Sequence, residues 1–151
     1  MESSGGAHAF PLRTFHHIGF VVASIQSSVA GFLDSLQAEW DGTIFHDPNQ
    51  VVRVTFLRGT RAGNPLFELV EPAGEQSPVI PFLKRGGGLH HLCYEIDSLE
   101  TQLALSRSQG GLVVRQPLPA VAFEGRRIAW VYTKNKLLVE YLERQRGPAQ
   151  E

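Results

Sequence analysis

The chain has 151 residues, of which 42% are hydrophobic, and this is enough to bury the core of one ordinary domain. Its formal net charge of −1 gives no bulk attraction to nucleic acid or to an anionic membrane. No apolar run is long enough to cross a membrane, and the N-terminus lacks the pattern of a signal peptide. Cys93 is the single cysteine, which fits a reducing compartment, so we expect a cytoplasmic protein.

The predicted elements occur in the same order in two halves of the chain. Each half is expected to contain a strand, an amphipathic helix and three further strands. The ranges in the first half are 14–22, 25–36, 38–45, 51–58 and 66–71, with a turn at 46–49. The ranges in the second half are 89–96, 99–107, 112–116, 126–132 and 137–142, with a loop at 117–125. A short helix is expected at 79–84 between the halves.

These elements define the expected domain organisation. We expect a disordered lead over 1–13, a single domain over 14–143 and a frayed tail over 144–151. Within the domain, the first module spans 14–72, a linker spans 73–87 and the second module spans 88–143.

Two phrases of the sequence occur twice. HHIGFVV begins at His16 and HHLCYEI begins at His90, so that His17 and His91 lie 74 residues apart. LFELVE and LVEYLE carry Glu68 and Glu140, which lie 72 residues apart. Two unrelated phrases that repeat at nearly one spacing indicate an internal duplication.

The duplicated positions predict a metal site. If the apolar partners of His17 and His91 lie under the helices, strand alternation places both imidazoles on the opposite face of the sheet, with His16 pointing away from His17. Glu68 and Glu140 share strand faces with apolar residues, where a carboxylate is costly unless a cation pairs with it. A single strand histidine is more often structural than a ligand, and a competing register would use His16 and His90. The matched pairs favour a site made by His17, Glu68, His91 and Glu140.

Several stretches of the sequence resemble a known family. The repeated unit, HIG at 17–19 and FELVEP at 67–72 resemble the vicinal oxygen chelate superfamily, which includes glyoxalases, bleomycin resistance proteins and dioxygenases. Within that superfamily, ELVEPAGEQSPV at 68–79, GLHHLCYEI at 88–96, GRRIAW at 125–130 and LVEYLE at 138–143 are similar to methylmalonyl-CoA epimerases.

The resemblance implies an α+β fold in which two tandem βαβββ modules form a cupped, barrel-like mixed sheet with helices outside. It implies one divalent metal ion, and mixed nitrogen and oxygen ligands do not select among Co, Ni, Mn, Fe and Zn. The metal would act as a Lewis acid on a carbonyl and stabilise an enolate. The expected function is an epimerase or isomerase acting next to a carbonyl, with acyl-CoA as a substrate class. The alternatives are a glyoxalase-type lyase of the same fold and a small-molecule binding or resistance protein.

The resemblance also implies proton-exchanging groups. Glu140 would exchange a proton as well as bind the metal. The epimerases carry a second glutamate in the loop before the third strand of the first half, where this sequence has Asn49 nearby, and Asn cannot take a proton. We predict Asp47 and Glu95 as candidates for the missing group, with His46 and Glu124 as further options. Without that group, the chain should be a poor methylmalonyl-CoA epimerase.

Three further predictions concern the surface and the pocket. The resemblance and an exposed sheet edge predict a homodimer. Aromatic residues at 123, 130 and 132 could line a substrate pocket, although strand aromatics are more often part of a core. The arginines that could hold an anionic ligand, although most are expected to be solvated, are Arg53, Arg58, Arg61, Arg85, Arg126 and Arg127.

Overall fold

The computed structural model describes residues 12–145, so most of the predicted lead over 1–13 and tail over 144–151 lies outside the described residues. The strands are β1 (Thr14–Val21), β2 (Ala38–Glu39), β3 (Phe45–Asp47), β4 (Val52–Gly59), β5 (Leu66–Pro72), β6 (Gly88–Ile96), β7 (Leu112–Pro119), β8 (Arg127–Tyr132) and β9 (Leu138–Glu143). The helices are α1 (Ile25–Leu36), α2 (Ile80–Lys84) and α3 (Leu99–Ser108), and a 3₁₀ turn spans Val121–Phe123. No helix in this part of the chain is both long and apolar enough to span a bilayer.

The two long helices begin at the residues that the sequence predicts. The side chains of Ser24 and Ser98 each accept a hydrogen bond from the backbone N–H three residues later, which caps α1 and α3. The buried face of α1 packs on β4 and β5, where Leu57 and Leu69 are fully buried. The helix α3 packs in the same way on the second half of the sheet. Each helix therefore covers the outer face of its own module.

The sheet joins the two modules along β1 and β6. The strand order is β2-β4-β5-β1-β6-β9-β8-β7, with β3 paired to β4. The strands β1 and β6 are antiparallel, whereas β1 pairs with β5 and β6 pairs with β9 in parallel. The predicted α+β fold with two βαβββ modules is confirmed. Its four central strands, β5, β1, β6 and β9, carry Glu68, His17, His91 and Glu140 in that order.

The predicted strand over 38–45 is wrong in its middle. Only Ala38–Glu39 and Phe45–Asp47 pair with β4, and the segment between them leaves the sheet. Side-chain hydrogen bonds replace the ladder there, because Trp40 Nε1 donates to Thr55 Oγ1 and the Thr55 hydroxyl donates to the Thr43 carbonyl. The predicted turn at 46–49 begins later, because β3 pairs with β4 as far as Asp47.

The predicted loop over 117–125 is also shorter than expected. The strand β7 continues to Pro119, and three of the remaining residues belong to the 3₁₀ turn. The strand β7 lies at the edge of the sheet, where a proline costs no ladder hydrogen bond on the open side. The prolines that suggested a loop are therefore compatible with a strand.

Two β-bulges overturn the predicted alternation at the histidine doublets. The ladder between β1 and β6 passes from Phe15 to His17 without pairing His16, and it skips His90 in the same way on β6. A bulge turns two consecutive side chains toward the same side of a sheet. The prediction that His16 points away from His17 was therefore wrong, and the rings of His16 and His17 lie 5.0 Å apart.

Candidate metal centre

The four predicted ligands converge in the concave side of the sheet. His17, Glu68, His91 and Glu140 are all buried, and their ligand atoms lie within 4.8 Å of one another. Each residue comes from a different one of the four central strands, so the strand spacing of the sheet brings them together. The duplication thus supplies one histidine and one glutamate from each module.

The distances among these atoms fit a small cation. His17 Nε2 lies 3.1 Å from His91 Nε2 and 3.2 Å from Glu140 Oε1. The remaining nitrogen–oxygen distances are 3.3 to 3.7 Å. For metal–ligand bonds of about 2.1 Å, neighbouring ligands lie roughly 3.0 to 3.4 Å apart in octahedral or tetrahedral arrangements. Three of the five observed distances lie in that range. The other two, His17 Nε2 to Glu68 Oε1 at 3.6 Å and His91 Nε2 to Glu140 Oε1 at 3.7 Å, are slightly longer.

One buried oxygen lacks a partner. Glu140 Oε1 is among the buried atoms of the described residues that have no hydrogen bond of acceptable geometry, although His17 Nε2 lies 3.2 Å away. Burying a carboxylate without full compensation is costly. Two carboxylates and two imidazoles with converging acceptor atoms therefore fit a divalent cation, and such a set of nitrogen and oxygen donors suits Zn and the late transition metals.

The charges of the cluster shift the pKa values of His17 and Glu68 in opposite directions. Burial alone would lower the pKa of His17, but the carboxylates of Glu68 and Glu140 outweigh it and raise this pKa to about 10. Burial alone would raise the pKa of Glu68, but the charge of His17 and hydrogen bonds with His17 and His91 hold it well below its usual range. Without metal, a proton on His17 therefore compensates part of the negative charge at neutral pH.

A second group of donors lies beside the first. His16, His17 and Cys93 also bring one ligand atom each within 4.8 Å of one another. Burial and the nearby Glu140 raise the pKa of the Cys93 thiol well above its usual value, so the thiol keeps its proton. This group shares His17 with the first and lacks a carboxylate, so the four-residue cluster is the better cation site.

Gly19 makes room for His91. A Cβ atom at Gly19 would overlap the His91 ring, because Gly19 lies directly opposite His91 in the ladder between β1 and β6. The equivalent residue of the second module is Cys93, which lies opposite His17. The glycine in the phrase HIG is therefore required by packing against an imidazole rather than by backbone conformation.

Aromatic rings enclose the cluster. Phe56 and Phe123 contact the His17 ring at centroid distances of 5.7 and 6.0 Å, and Trp130 contacts His91 at 4.7 Å. Phe56 lies opposite Glu68 in its ladder, and Trp130 holds the equivalent place opposite Glu140. The enclosure explains why the cluster is buried within a concave sheet.

Two cavities lie outside the aromatic wall that Phe56, Phe123 and Trp130 form around the cluster. A cavity of about 430 Å³ is lined by Phe56, Phe123, Trp40 and Phe45 together with Arg58 and Arg126. A smaller cavity of about 270 Å³ is lined by His90, Trp130 and Gln50 among others. The predicted pocket residues Phe123 and Trp130 therefore line different cavities, and Tyr132 is exposed.

The other predicted site residues do not join the cluster. Asp47 is buried, but its carboxylate accepts hydrogen bonds from the backbone N–H groups of Asn49, Gln50 and Val121. Asp47 thereby ties the end of β3 to the 3₁₀ turn that carries Phe123. Asn49 is exposed in the turn after β3, and His46 and Glu124 are exposed as well.

Glu95 does not contact the four-residue cluster directly. Its carboxylate is 3.3 Å from Arg126 Nη1 and 4.0 Å from His16 Nε2. His16 in turn contacts His17 through their Nδ1 atoms at 2.8 Å. Glu95 thus faces the concave side, as strand parity predicts, but reaches His17 only through His16.

Sequence reasoning missed four residues that contribute to the site. Phe56 was assigned only to a strand, and the structure places its ring on His17. Gly19 was quoted only as part of a motif. His16 and His90 were treated as a competing register, and the repeated doublet was the signal that could have identified their contact with the ligands.

The fold and the cluster define a class of protein: two paired βαβββ modules that enclose two buried histidines and two buried glutamates. The chain belongs to the Glyoxalase/Bleomycin resistance protein/Dioxygenase superfamily, whose family model matches residues 16–130. The predicted resemblance is confirmed.

Two individual relatives and one solved structure are similar to most of the chain. The chain is 29% identical to the ethylmalonyl-CoA/methylmalonyl-CoA epimerase of Cereibacter sphaeroides, over 83% of this chain and 93% of the relative. It is 36% identical to the uncharacterized protein YqjC of Bacillus subtilis, over 87% and 93% of the two chains. The structure of methylmalonyl-CoA epimerase from Mycobacterium tuberculosis superimposes with a TM-score of 0.73 at 24% identity, over 87% and 88% of the two chains, and shares the fold.

A methyl group at Gly19 should disrupt the cluster. Gly19→Ala is expected to weaken Zn²⁺ binding by about 10-fold or more, because the His91 ring must move away. Gly31→Ala is the matched control, since a Cβ atom there meets nothing within 4 Å and lies on α1. Competition with a chromophoric chelator measures both affinities. Unchanged affinity in Gly19→Ala would show that His91 does not bind the ion.

Metal binding should release a proton from His17. Because the pKa of His17 is raised to about 10, the apparent Zn²⁺ affinity should increase about tenfold per pH unit between pH 7 and 9. Calorimetry in buffers of different ionisation enthalpy should report about one proton released at pH 8. In the metal-free protein, the same shift stabilises the fold fully below about pH 6.5 and is lost as the pH rises through about 10.

The control for this experiment removes the charge of Glu68, which raises the pKa of His17. Glu68→Gln should release less than one proton at pH 8, since the pKa of His17 then falls toward its usual value. A proton release that is zero in the wild type at pH 8 would contradict the assignment of His17.

Proposed function

We propose that this protein is a metal-dependent enzyme that removes the α-proton of an acyl-CoA thioester, as an epimerase or isomerase. The observation that carries the proposal is the buried convergence of His17, Glu68, His91 and Glu140 with one carboxylate oxygen left without a hydrogen bond. The substrate class is supported by the 29% identity with the Cereibacter sphaeroides epimerase. These four residues would hold one ion of Co, Ni, Mn, Fe or Zn, which supplies Lewis acidity toward a carbonyl oxygen.

Glu140 is the proposed base. Its Oε1 atom has no hydrogen bond of acceptable geometry, although it lies 3.2 Å from His17 Nε2 and 3.7 Å from His91 Nε2. Glu140 is buried, and Trp130 lies opposite it in the ladder between β8 and β9, so its carboxylate is held in position for proton transfer. Glu140 therefore removes and returns the proton on one face of the substrate.

No residue is established as the proton-exchanging group for the opposite face of the substrate. Asp47 stays a prediction, but its carboxylate already accepts three backbone hydrogen bonds. Glu95 stays the other prediction, and it is paired with Arg126 at 3.3 Å. The rings of Phe56 and Phe123 carry no exchangeable proton. We propose that proton transfer is dominated by Glu140, so that exchange on one face is faster than inversion.

The larger cavity is the proposed route for substrate. It meets the cluster at Phe56 and Phe123, and Phe123 lies on the three-residue 3₁₀ turn that Asp47 holds. Trp130 closes the other side from within a strand paired on both edges, so its displacement would break the sheet. Arg58 and Arg126 line the larger cavity together with Glu39 and Asp41, and the two guanidinium groups would contact the anionic part of an acyl-CoA.

Two further predictions remain proposals. The strand β7 exposes Leu112, Val114 and Leu118 at the edge of the sheet, which supports the predicted homodimer. A cytoplasmic location is proposed from the single buried cysteine.

A single proton-exchanging carboxylate predicts that exchange outpaces inversion. One epimer of methylmalonyl-CoA in D₂O should take up deuterium at the α-carbon several times faster than it inverts. Glu140→Gln should lower both rates by about 10² to 10⁴-fold, because the amide oxygen can still bind metal but cannot take a proton. Mass spectrometry and a chiral coupled assay measure the two rates, with the metal content of every variant determined beside them.

The control variants decide among the alternatives. Glu124→Gln removes an exposed carboxylate and should change neither rate. Equal rates of exchange and inversion in the wild type would reject the one-sided mechanism. The second proton-exchanging group would then be Glu95 if Glu95→Gln abolishes inversion, or Asp47 if Asp47→Asn does. Turnover of a hemithioacetal without exchange into acyl-CoA would favour the lyase, and tight ligand binding without turnover would favour the binding protein.

A further inference from the structure

The proposed function assigns no role to two partly buried histidines, His16 and His90. His16 precedes His17 and His90 precedes His91, and both are largely shielded from solvent. In each doublet the two Nδ1 atoms lie 2.8 Å apart, which is hydrogen-bond distance. The same contact occurs in both modules, on different strands and against different neighbours.

Backbone geometry creates these contacts. The ladder between β1 and β6 skips His16 on one strand and His90 on the other, so each doublet lies at a bulge. In a regular strand, consecutive side chains point to opposite faces and could not share a hydrogen bond. The bulges turn each second histidine toward the same side as its ligand neighbour.

Packing holds both flanking rings in place. The His16 ring contacts Phe123 edge-on at a centroid distance of 5.4 Å. The His90 ring contacts Phe82 at 4.8 Å and Trp130 at 6.1 Å. Their Nδ1 atoms are therefore fixed partners rather than freely rotating groups.

The hydrogen bond decides which nitrogen of each ligand carries the proton. A neutral imidazole has one N–H, and the nitrogen without it is the one that can bind a cation. If Nδ1–H of His91 donates to Nδ1 of His90, then Nε2 of His91 is left with its lone pair facing the cluster. The opposite arrangement would place N–H groups on Nε2 of His17 and of His91, which face each other at 3.1 Å.

We infer that His16 and His90 are positioning residues that fix His17 and His91 with Nε2 available for a divalent cation. The inference rests on the proposed metal site and adds two residues that do not touch the ion. Hydrogen-bonded partners of metal ligands contribute about 10- to 100-fold to metal affinity.

The test compares variants with and without an acceptor at the Nδ1 position. His90→Phe keeps a ring but removes the acceptor, and should weaken Zn²⁺ binding by about 10- to 100-fold in the full chain. His90→Asn offers an amide oxygen in a similar place and should remain within about threefold of the wild type. The same pair of substitutions is made at His16. His46→Phe is the control, because His46 is exposed and lies outside the cluster.

A second measurement separates positioning from a merely structural role. Long-range ¹H–¹⁵N spectra of the histidine-labelled, Zn²⁺-loaded protein should show the proton of His91 on Nδ1 in the wild type and in His90→Asn. In His90→Phe the signal of that proton should weaken or shift through exchange with water.

The outcomes distinguish this inference from the proposed function. If the wild type binds Zn²⁺ and both Phe variants bind it equally tightly, the positioning role is overturned while the metal site stands. A loss of melting temperature in the Phe variants with unchanged Zn²⁺ affinity also overturns it. If the wild type binds no Zn²⁺ at these residues, the proposed function and this inference both fail.

Discussion

The structure depends on the cost of burying two carboxylates. Glu68 and Glu140 lie at the centre of the sheet, beside His17 and His91, where water cannot solvate their charge. Charges that are buried in this way must be paired or must bind a metal. A proton on His17 offsets part of the charge, and a divalent cation would offset it more completely while satisfying the free oxygen of Glu140. The strand order brings the four residues together, Gly19 leaves space for the His91 ring, and the aromatic wall covers the histidines.

The duplication explains how a short chain can build such a site. Each module places one histidine and one glutamate on two neighbouring parallel strands, and the antiparallel pairing of β1 with β6 brings the two pairs together. The modules then differ where the site needs asymmetry. Gly19 leaves space for one imidazole, whereas its equivalent Cys93 fills the space beside the other. Phe56 and Trp130 are likewise equivalent in position but line different cavities.

The sequence predicts the fold and the members of the cluster because both are encoded by repeated patterns. The helix over 25–36 and the four converging residues follow from periodicity and from the duplication. The departures arise where a local interaction overrides the pattern. Thr55 and Trp40 replace the ladder between β2 and β3 with side-chain hydrogen bonds, and the bulges at His16 and His90 reverse the alternation on which strand parity depends. Neither the contact of Phe56 with His17 nor the bonds that Asp47 makes with three backbone groups has a signature in a single sequence.

The central claim is that one cation is bound by one histidine and one glutamate from each module. A crystal structure of the full chain soaked or grown with Zn²⁺, with anomalous data collected at the zinc edge, tests it most directly. The account predicts a single strong anomalous peak about 2.1 Å from His17 Nε2, His91 Nε2 and one oxygen of each glutamate. A peak beside His16 and Cys93, a peak coordinated by His90, or no peak at the cluster would contradict it.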